Sequence, residues 1–167
     1  GLLRPAEGRI TLAGQPTDAS SIAELAATVG FVFQNPDEQL FERTVEREVA
    51  FGPRNLGVPA ATIAERVTNS LTAVGLVAER STNPYDLDLS RRKLVALAGV
   101  LAMDPAVLVL DEPTTGLDPV LRRDLWDLFH RMATRGATLL VSSHVMDEAS
   151  RCEQYAEHGH RQPERRA

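Results

Sequence analysis

The stretch of sequence that decides the fold runs over residues 106–119 and reads Ala-Val-Leu-Val-Leu-Asp-Glu-Pro-Thr-Thr-Gly-Leu-Asp-Pro. Its apolar beginning is uninterrupted, which is typical of a strand that is covered on both faces of a parallel sheet. Asp111 and Glu112 follow at the end of this strand, and Asp118 stands before a proline, where it can cap a helix. Because ligands bind beyond the carboxyl ends of parallel strands, the pattern predicts a functional site there.

A helix and a second strand are predicted directly downstream. Periodic apolar residues favour a helix over about 119–135, closed by Gly136. Residues 137–141 are another apolar run, which we interpret as a strand covered on both faces. A strand, a helix and a strand in this order form a βαβ unit with parallel strands. We therefore expect Asp111 and residues 142–144, Ser-Ser-His, at the same edge of the sheet.

The residues upstream predict a third strand and a set of helices. Alternation between polar and apolar residues favours strands, and apolar residues spaced by three and four favour helices. Gly52-Pro53 and residues 57–59, Gly-Val-Pro, are expected to break the helical pattern. The expected elements begin with an edge hairpin over 8–14, a helix over 20–27 capped by Ser20 or Ser21, and a buried strand over 29–33. Helices over 44–56, 60–74 and 90–103 follow, and the last of them ends at Asp104-Pro105.

Composition narrows the class of protein. The 167 residues are 43% apolar and 25% charged, which favours one soluble globular domain. A net charge of -5 argues against a nucleic-acid partner, because nucleic-acid affinity depends on basic side chains. Cys152 is the only cysteine and cannot form an internal disulfide, which favours the cytoplasm. The longest strongly apolar stretch, 94–103, is too short to cross a bilayer, so any membrane role needs a partner subunit.

Two interpretations of Asp111 and Glu112 are open on the residues alone. An aspartate at a strand end can hold Mg²⁺ directly or through water, since Mg²⁺ keeps waters and phosphate oxygens as its other ligands. A glutamate beside it can orient an attacking water molecule. Alternatively, the pair is polar only because a buried strand must end in polar residues.

The motif order resembles that of ABC ATPases. Residues 107–119 resemble the Walker B motif and D-loop of that family, and residues 139–144, Leu-Leu-Val-Ser-Ser-His, resemble its switch-histidine segment. His144 lies 32 residues downstream of Glu112. Gln34, at the end of its own predicted strand, matches the Q-loop glutamine.

The resemblance implies a role for each of these side chains. Glu112 would orient the attacking water, and Asp111 would hold Mg²⁺. His144 would contact the γ-phosphate and that water, against the alternative of a surface histidine. Gln34 would reach the Mg²⁺ site and report the nucleotide state to a transmembrane partner, against the alternative of a turn residue. Asp118 would bridge to the opposite subunit of a dimer; the alternative is a plain helix cap, which Asp118 could form at the same time.

The segment that corresponds to the family's signature motif departs from the pattern. In the family this motif reads Leu-Ser-Gly-Gly-Gln and its backbone N–H groups reach a γ-phosphate on the partner subunit. Only the leucine is retained here, so we expect a degenerate signature that impairs the composite site. The carboxylate of Asp88, at the second position, would oppose phosphate binding, whereas Arg91 and Arg92 would favour it. The alternative is an ordinary capped helix start. The residues concerned are Leu87, Asp88, Leu89, Ser90 and Arg91.

One branch of the family is especially similar. Residues 29–41, 44–53 and 55–57 resemble the ATPases of energy-coupling factor and cobalt-type importers, which take up vitamins or transition-metal ions. The resemblance covers about 1–152 and implies an α/β, P-loop NTPase-like ABC ATPase domain: a mostly parallel sheet with a helical lobe inserted at about 44–103. Residues 153–167 are expected to be a disordered or aberrant tail.

The same resemblance implies cofactors, partners and a location. ATP and Mg²⁺ are the expected cofactors. A second ABC ATPase subunit, in a homodimer or a heterodimer, and a transmembrane transporter subunit are the expected partners. The expected location is the cytoplasmic face of the cell membrane, with peripheral attachment.

A phosphate-binding loop of the form Gly-x-x-x-x-Gly-Lys-Ser/Thr does not occur in the 167 residues. In the family this Walker A loop lies just before a segment that resembles residues 1–5, so we expect a chain truncated before Gly1, without the N-terminal P-loop unit and inactive alone. One interpretation is an ATP-hydrolysing motor subunit. A second is a non-catalytic remnant that at most pairs with an intact ATPase subunit. A third, a soluble ABC ATPase of repair or translation, fits the importer-like region 34–53 poorly.

Overall fold

The computed structural model describes residues 7–12 and 14–143, which form a three-stranded parallel sheet, a small hairpin and five α-helices. Short 3-10 turns lie at Thr17–Ala19, Pro36–Glu38 and Pro84–Asp86. The strands and helices are β1 (Thr11–Leu12), β2 (Gln15–Pro16), α1 (Ile22–Thr28), β3 (Val29–Val32), α2 (Val45–Asn55), α3 (Ala60–Ala73), α4 (Leu89–Met103), β4 (Val107–Asp111), α5 (Pro119–Thr134) and β5 (Thr138–Ser142). The helices and strands expected over 20–142 are therefore present, but the expected edge hairpin over 8–14 extends to Pro16 and forms a sheet of its own.

Local hydrogen bonds fix where the helices begin and end. Ser21 forms a reciprocal capping box with Glu24 at the start of α1, as the sequence predicts. The left-handed conformation of Asp104, with φ 58°, ends α4 directly before Pro105.

The sheet has the order β3-β4-β5, and both neighbouring pairs are parallel. Val32, Leu110 and Val141 share one register row, and Asp111 pairs with Ser142 at the carboxyl edge. The helices α4 and α5 pack on one face, where Leu108 and Leu110 are fully buried. This arrangement confirms the predicted α/β class and the parallel βαβ unit.

The helices α2, α3 and α4 pack against one another and share the core with the sheet. The expected break at Gly52-Pro53 is wrong, because α2 continues through Pro53 to Asn55. A proline two residues from the end of a helix removes only one hydrogen bond, in the last turn. Pro53 is almost completely buried, so its packing offsets that loss.

The expectation that β5 is covered on both faces is also wrong within the described residues. Leu139 and Val141 are partly buried and point toward the core, but Leu140 between them is 63% exposed. Phe31 of β3, which occupies the same face of the sheet as Leu140, is 42% exposed. An apolar run shows which residues can be covered, but the packing of α4 and α5 on one face decides which ones these helices cover.

Gly30 allows α4 to approach the sheet closely. A Cβ at this position would overlap Val100 Cγ1 and lie 3.0 Å from Pro105 Cγ. Valine and proline side chains are stiff, so the neighbours cannot move away without shifting the backbone.

We expect Gly30→Ala to lower the free energy of unfolding by about 1–3 kcal/mol, because it overpacks the contact between β3 and α4. Urea denaturation measures the change. Gly99→Ala in α4 is the matched control, because the nearest atom to its new Cβ is Glu48 O at 3.9 Å. Alanine favours the helix, so this control should be neutral or stabilising by up to about 1 kcal/mol. Equal loss in both variants would show that the close approach at Gly30 does not matter.

A buried carboxylate anchors the chain between β3 and α2. Glu48 is only 7% exposed, and its Oε2 accepts hydrogen bonds from the backbone N–H groups of Phe41 (2.9 Å) and Glu42 (2.7 Å). Burial raises the pKa of Glu48 above its ordinary value of 4.5, although the two hydrogen bonds act in the opposite direction. The carboxyl therefore binds its proton more tightly in the folded state than in the unfolded state.

This shift predicts a pH-dependent effect of Glu48→Gln. Stability that depends on Glu48 falls as pH rises from 4.5 through the raised pKa, because the unfolded state loses its proton first. Glutamine can keep both hydrogen bonds on one oxygen and does not titrate. The unfolding free energy of the wild type should therefore fall relative to that of Glu48→Gln as pH rises from about 4 to about 7. Denaturation at a series of pH values measures it, with the exposed Glu65→Gln as control; a constant difference would contradict the assignment.

Candidate functional site

The candidate site lies at the carboxyl edge of β4 and β5. Asp111 is the last residue of β4, and the hydroxyl of Ser142 on β5 donates a hydrogen bond to Asp111 Oδ1 at 2.5 Å. The backbone N–H of Glu112 donates to Ser142 O at 3.1 Å and lies 3.2 Å from Ser142 Oγ. The register of two parallel strands thus holds the two carboxylates beside a serine, as the βαβ interpretation predicts.

Glu112 occupies an unusual position. Its backbone φ is 45°, in the left-handed region that residues other than glycine rarely adopt. The residue is only 8% exposed. Its Oε2 accepts hydrogen bonds from Gln34 Nε2 at 2.9 Å and from Thr115 Oγ1 at 3.1 Å. A strained backbone and a held, buried carboxylate are features that cluster at functional sites.

Gln34 reaches Glu112 across 78 residues of sequence. It stands two residues beyond the end of β3, which is the neighbour of β4 in the sheet. The structure therefore brings Gln34, Asp111 and Glu112 together at one edge. His144 lies outside the described residues.

The remaining predicted site residues lie elsewhere. Asp118 caps α5 by accepting from the N–H groups of Val120 and Leu121, both at 3.0 Å. Asp88 caps α4 by accepting from Arg91 N at 2.9 Å. Asp118 and Asp88 thus both act as helix caps, as the alternative interpretation of each residue predicts.

Arg91 of the signature segment shares with Asp118 a surface that is different from that of Glu112. Arg91 and Asp118 line one open cleft of about 470 Å³ between α4, the end of α3 and the start of α5, and none of Gln34, Asp111 and Glu112 lines it. In the same segment Leu87 is buried, Ser90 is partly buried and Leu89 is 50% exposed.

Sequence reasoning missed two residues of the site, Lys93 and Thr115. Lys93 Nζ donates to Thr115 O at 2.7 Å, and Thr115 in turn donates its hydroxyl to Glu112. Burial lowers the pKa of Lys93, and the negative charge of Glu112 partly opposes this shift. One signal was available, because Lys93 is the only lysine among the 18 lysine and arginine residues of the chain.

Asp111 and Ser142 form a donor set that is compatible with Mg²⁺. No group of three or more histidine, cysteine, aspartate or glutamate side chains that could hold a metal occurs within residues 7–12 and 14–143. Asp111 offers a single carboxylate beside the hydroxyl of Ser142. Mg²⁺ is commonly bound through one or two carboxylates together with waters and substrate phosphates, so this set is sufficient.

Comparison with known families identifies the chain. A family model described as ABC transporter matches residues 1–115. The chain belongs to the ABC transporter family. A second model, described as an AAA domain, putative AbiEii toxin, Type IV TA system, matches residues 90–146. The resemblance of the chain to ABC ATPases is therefore confirmed.

The curated relatives of this ABC transporter chain place it near one branch. It is 45% identical over 149 residues to the energy-coupling factor transporter ATP-binding protein EcfA of Methanocaldococcus jannaschii, covering 88% of this chain and 53% of that protein. It is also 45% identical over 148 residues to the EcfA protein of Methanoculleus marisnigri, with the same coverage. The similarity to energy-coupling factor ATP-binding subunits is confirmed. The chain spans about half the length of the curated relatives it matches.

Solved structures confirm the ABC ATPase fold. The structure of cbiO1 from Clostridium perfringens, described as part of the ABC transporter complex cbiONQ, has a TM-score of 0.77 at 39% identity and covers 88% of this chain and 60% of that one. A dimeric ATP-binding cassette in a post-hydrolysis state, bound to ADP and Pi, has a TM-score of 0.79 at 23% identity, covering 90% of this chain and 68% of that one. The second likeness concerns the fold alone. Among the described residues, no helix is long and apolar enough to cross a membrane.

Proposed function

We propose that the protein containing this chain is the ATP-binding and ATP-hydrolysing motor subunit of an energy-coupling factor or cobalt-type importer for vitamins or metal ions. The observation that carries the proposal is the convergence of Gln34, Asp111 and Glu112 at the carboxyl edge of a parallel sheet. The names of the relatives support the importer branch.

The residues of the site suit hydrolysis by water. Glu112 is held by Gln34 and Thr115 through one oxygen, so its carboxylate has a fixed direction in which to orient a water molecule and accept its proton. Asp111, fixed by Ser142, would hold Mg²⁺ at the strand end. When bound, Mg²⁺ neutralises the negative charge of the phosphates.

His144, Asp118 and the signature segment complete the proposed machinery. His144 would contact the γ-phosphate. Asp118 and residues 87–91 would face the second ABC ATPase subunit, in a homodimer or a heterodimer. A transmembrane subunit would receive the nucleotide signal through Gln34. Contact with this subunit would hold the protein peripherally at the cytoplasmic face of the membrane.

An alternative is that the chain is a non-catalytic remnant that at most pairs with an intact ATPase subunit. One observation favours it, because Asp88 stands where the family's signature motif has a serine. Under either proposal, we expect a polypeptide of only these 167 residues to hydrolyse no ATP.

Phosphate release distinguishes the two proposals. The complete polypeptide that the gene encodes, assembled with its partner subunits in lipid vesicles, should release phosphate from ATP in the presence of Mg²⁺ and stop when EDTA removes the metal. Release that requires Mg²⁺ supports the motor subunit. If the chain assembles with a partner ATPase and the partner carries out all of the hydrolysis, the result would support the non-catalytic remnant instead.

A further inference from the structure

Two loops meet at the Glu112 carboxylate. The loop after β3 brings Gln34, and the loop after β4 brings Thr115. Both side chains donate to the same oxygen of Glu112, at 2.9 Å and 3.1 Å. The direction of this carboxylate therefore depends on where the two loops are held.

Consecutive residues near the start of α4 hold these loops. Arg92 Nη1 pairs with Asp37 Oδ1 at 2.8 Å, three residues beyond Gln34. Lys93 Nζ donates to the backbone oxygen of Thr115 at 2.7 Å. Neighbouring side chains on a helix point about 100° apart, so one turn of α4 can reach a loop on either side.

The surroundings of Lys93 are unusual for a lysine. It lines a small, almost entirely apolar pocket between β3, α4 and the loop after β4, with Val32, Leu97 and Pro113 among its neighbours. A partly buried ammonium costs free energy unless a hydrogen-bond acceptor offsets the loss of water. Thr115 O is such an acceptor. Arginine fills every other Lys/Arg position of the chain, so Lys93 is the one exception in this sequence.

We propose that Lys93 is a positioning residue for Glu112. Its bond to Thr115 O fixes the loop over 113–117, and the Thr115 hydroxyl then keeps the Glu112 carboxylate in the direction needed to orient water. Lys93 acts only through Thr115 and touches no reacting atom. This inference rests on the proposed function for the role of Glu112, but the bond that it concerns can be tested without ATP.

A double-mutant cycle in the complete, assembled protein tests the path through Thr115. Lys93→Met keeps the length of the side chain and removes the donor, and Thr115→Val removes the hydroxyl but keeps the backbone oxygen. We expect each variant to lower kcat by about 10-fold with KM for ATP within about 2-fold, since the proposal has both residues act on Glu112 and not on the nucleotide. The double variant should also lose about 10-fold, because residues in one hydrogen-bond path are not additive. A loss of about 100-fold in the double variant would overturn the proposal.

Two further variants separate positioning from general destabilisation. Lys93→Arg keeps a cationic donor and should recover at least about a third of the lost turnover if the bond to Thr115 is what matters. Arg123→Met is the matched control, because Arg123 is an exposed cation on α5 that pairs with the adjacent Asp124. It should leave kcat unchanged. Failure of Lys93→Arg to recover any turnover, with normal folding, would contradict the proposal.

Amide hydrogen exchange provides a readout that needs no activity. We expect Lys93→Met to speed exchange in peptides covering 112–117 by about 10-fold while leaving α3 unchanged, because only the loop loses its anchor. Unchanged exchange over 112–117 would overturn the positioning role. Absence of ATP hydrolysis in the wild-type assembly would instead overturn the proposed function, and the exchange result would still decide whether Lys93 fixes this loop.

Discussion

Replacing Glu112 with glutamine should reduce the ATP turnover of the complete protein by at least about 100-fold, because a positioned general base contributes about 10²- to 10⁴-fold. Gln34 and Thr115 both donate to a single oxygen of Glu112, so the glutamine oxygen can accept both hydrogen bonds. The variant therefore keeps these two hydrogen bonds and loses the negative charge and the ability to accept a proton. ATP binding should be retained.

Phosphate release and nucleotide binding, measured side by side, check this prediction. Glu65→Gln removes an exposed carboxylate from α3 and is the matched control, which should leave turnover unchanged. The melting temperature of Glu112→Gln should stay near that of wild type. Turnover at the wild-type level in Glu112→Gln would rule out Glu112 as the residue that orients the attacking water.

The meeting of Gln34, Asp111 and Glu112 could be predicted because it follows from backbone topology. Strand ends are visible in the sequence as the points where apolar runs stop, at Gln34 and at Asp111. Parallel strands in one sheet place all their carboxyl ends at one edge. Strand order still had to come from the structure, since the sequence predicts the strands without stating that β4 lies between β3 and β5.

The bond between Lys93 and Thr115 could not be predicted in this way. It joins a helix side chain to a loop carbonyl, and neither partner belongs to a periodic pattern. The continuation of α2 through Pro53 is similar, because local propensity favours a break there while burial of the proline ring favours the helix. In both cases tertiary packing decides the outcome.

The structure sharpens one prediction of the sequence, the degenerate signature at Asp88. The side chain of Asp88 caps α4 through Arg91 N and forms an ion pair with Arg91 Nε at 3.6 Å. Arg91 also binds Glu79 at 2.8 Å. A carboxylate therefore occupies the N-terminus of α4, the helix that under the proposed function would offer its N–H groups to a phosphate on the partner subunit.

We expect Asp88→Asn and Asp88→Ser to strengthen ATP-dependent dimerisation by about 10- to 100-fold, because removing a negative charge near a phosphate is worth about 1–3 kcal/mol at partly exposed sites. Asparagine and serine cap helices about as well as aspartate, so the stability of the chain should change by less than about 1 kcal/mol. Analytical ultracentrifugation of the complete protein with and without ATP measures the effect.

The comparison among three replacements separates charge from shape at Asp88. Asparagine removes the charge at constant size, serine restores the side chain found in the family, and Asp88→Glu keeps the charge. If electrostatic repulsion is the cause, the first two should strengthen the dimer equally and glutamate should not strengthen it at all. If only Asp88→Ser strengthens the dimer, the size of the side chain at the start of α4, and not its charge, limits dimerisation. No change in any variant would mean that residues 87–91 do not face a bound phosphate, and the composite site would then have to be formed by other residues.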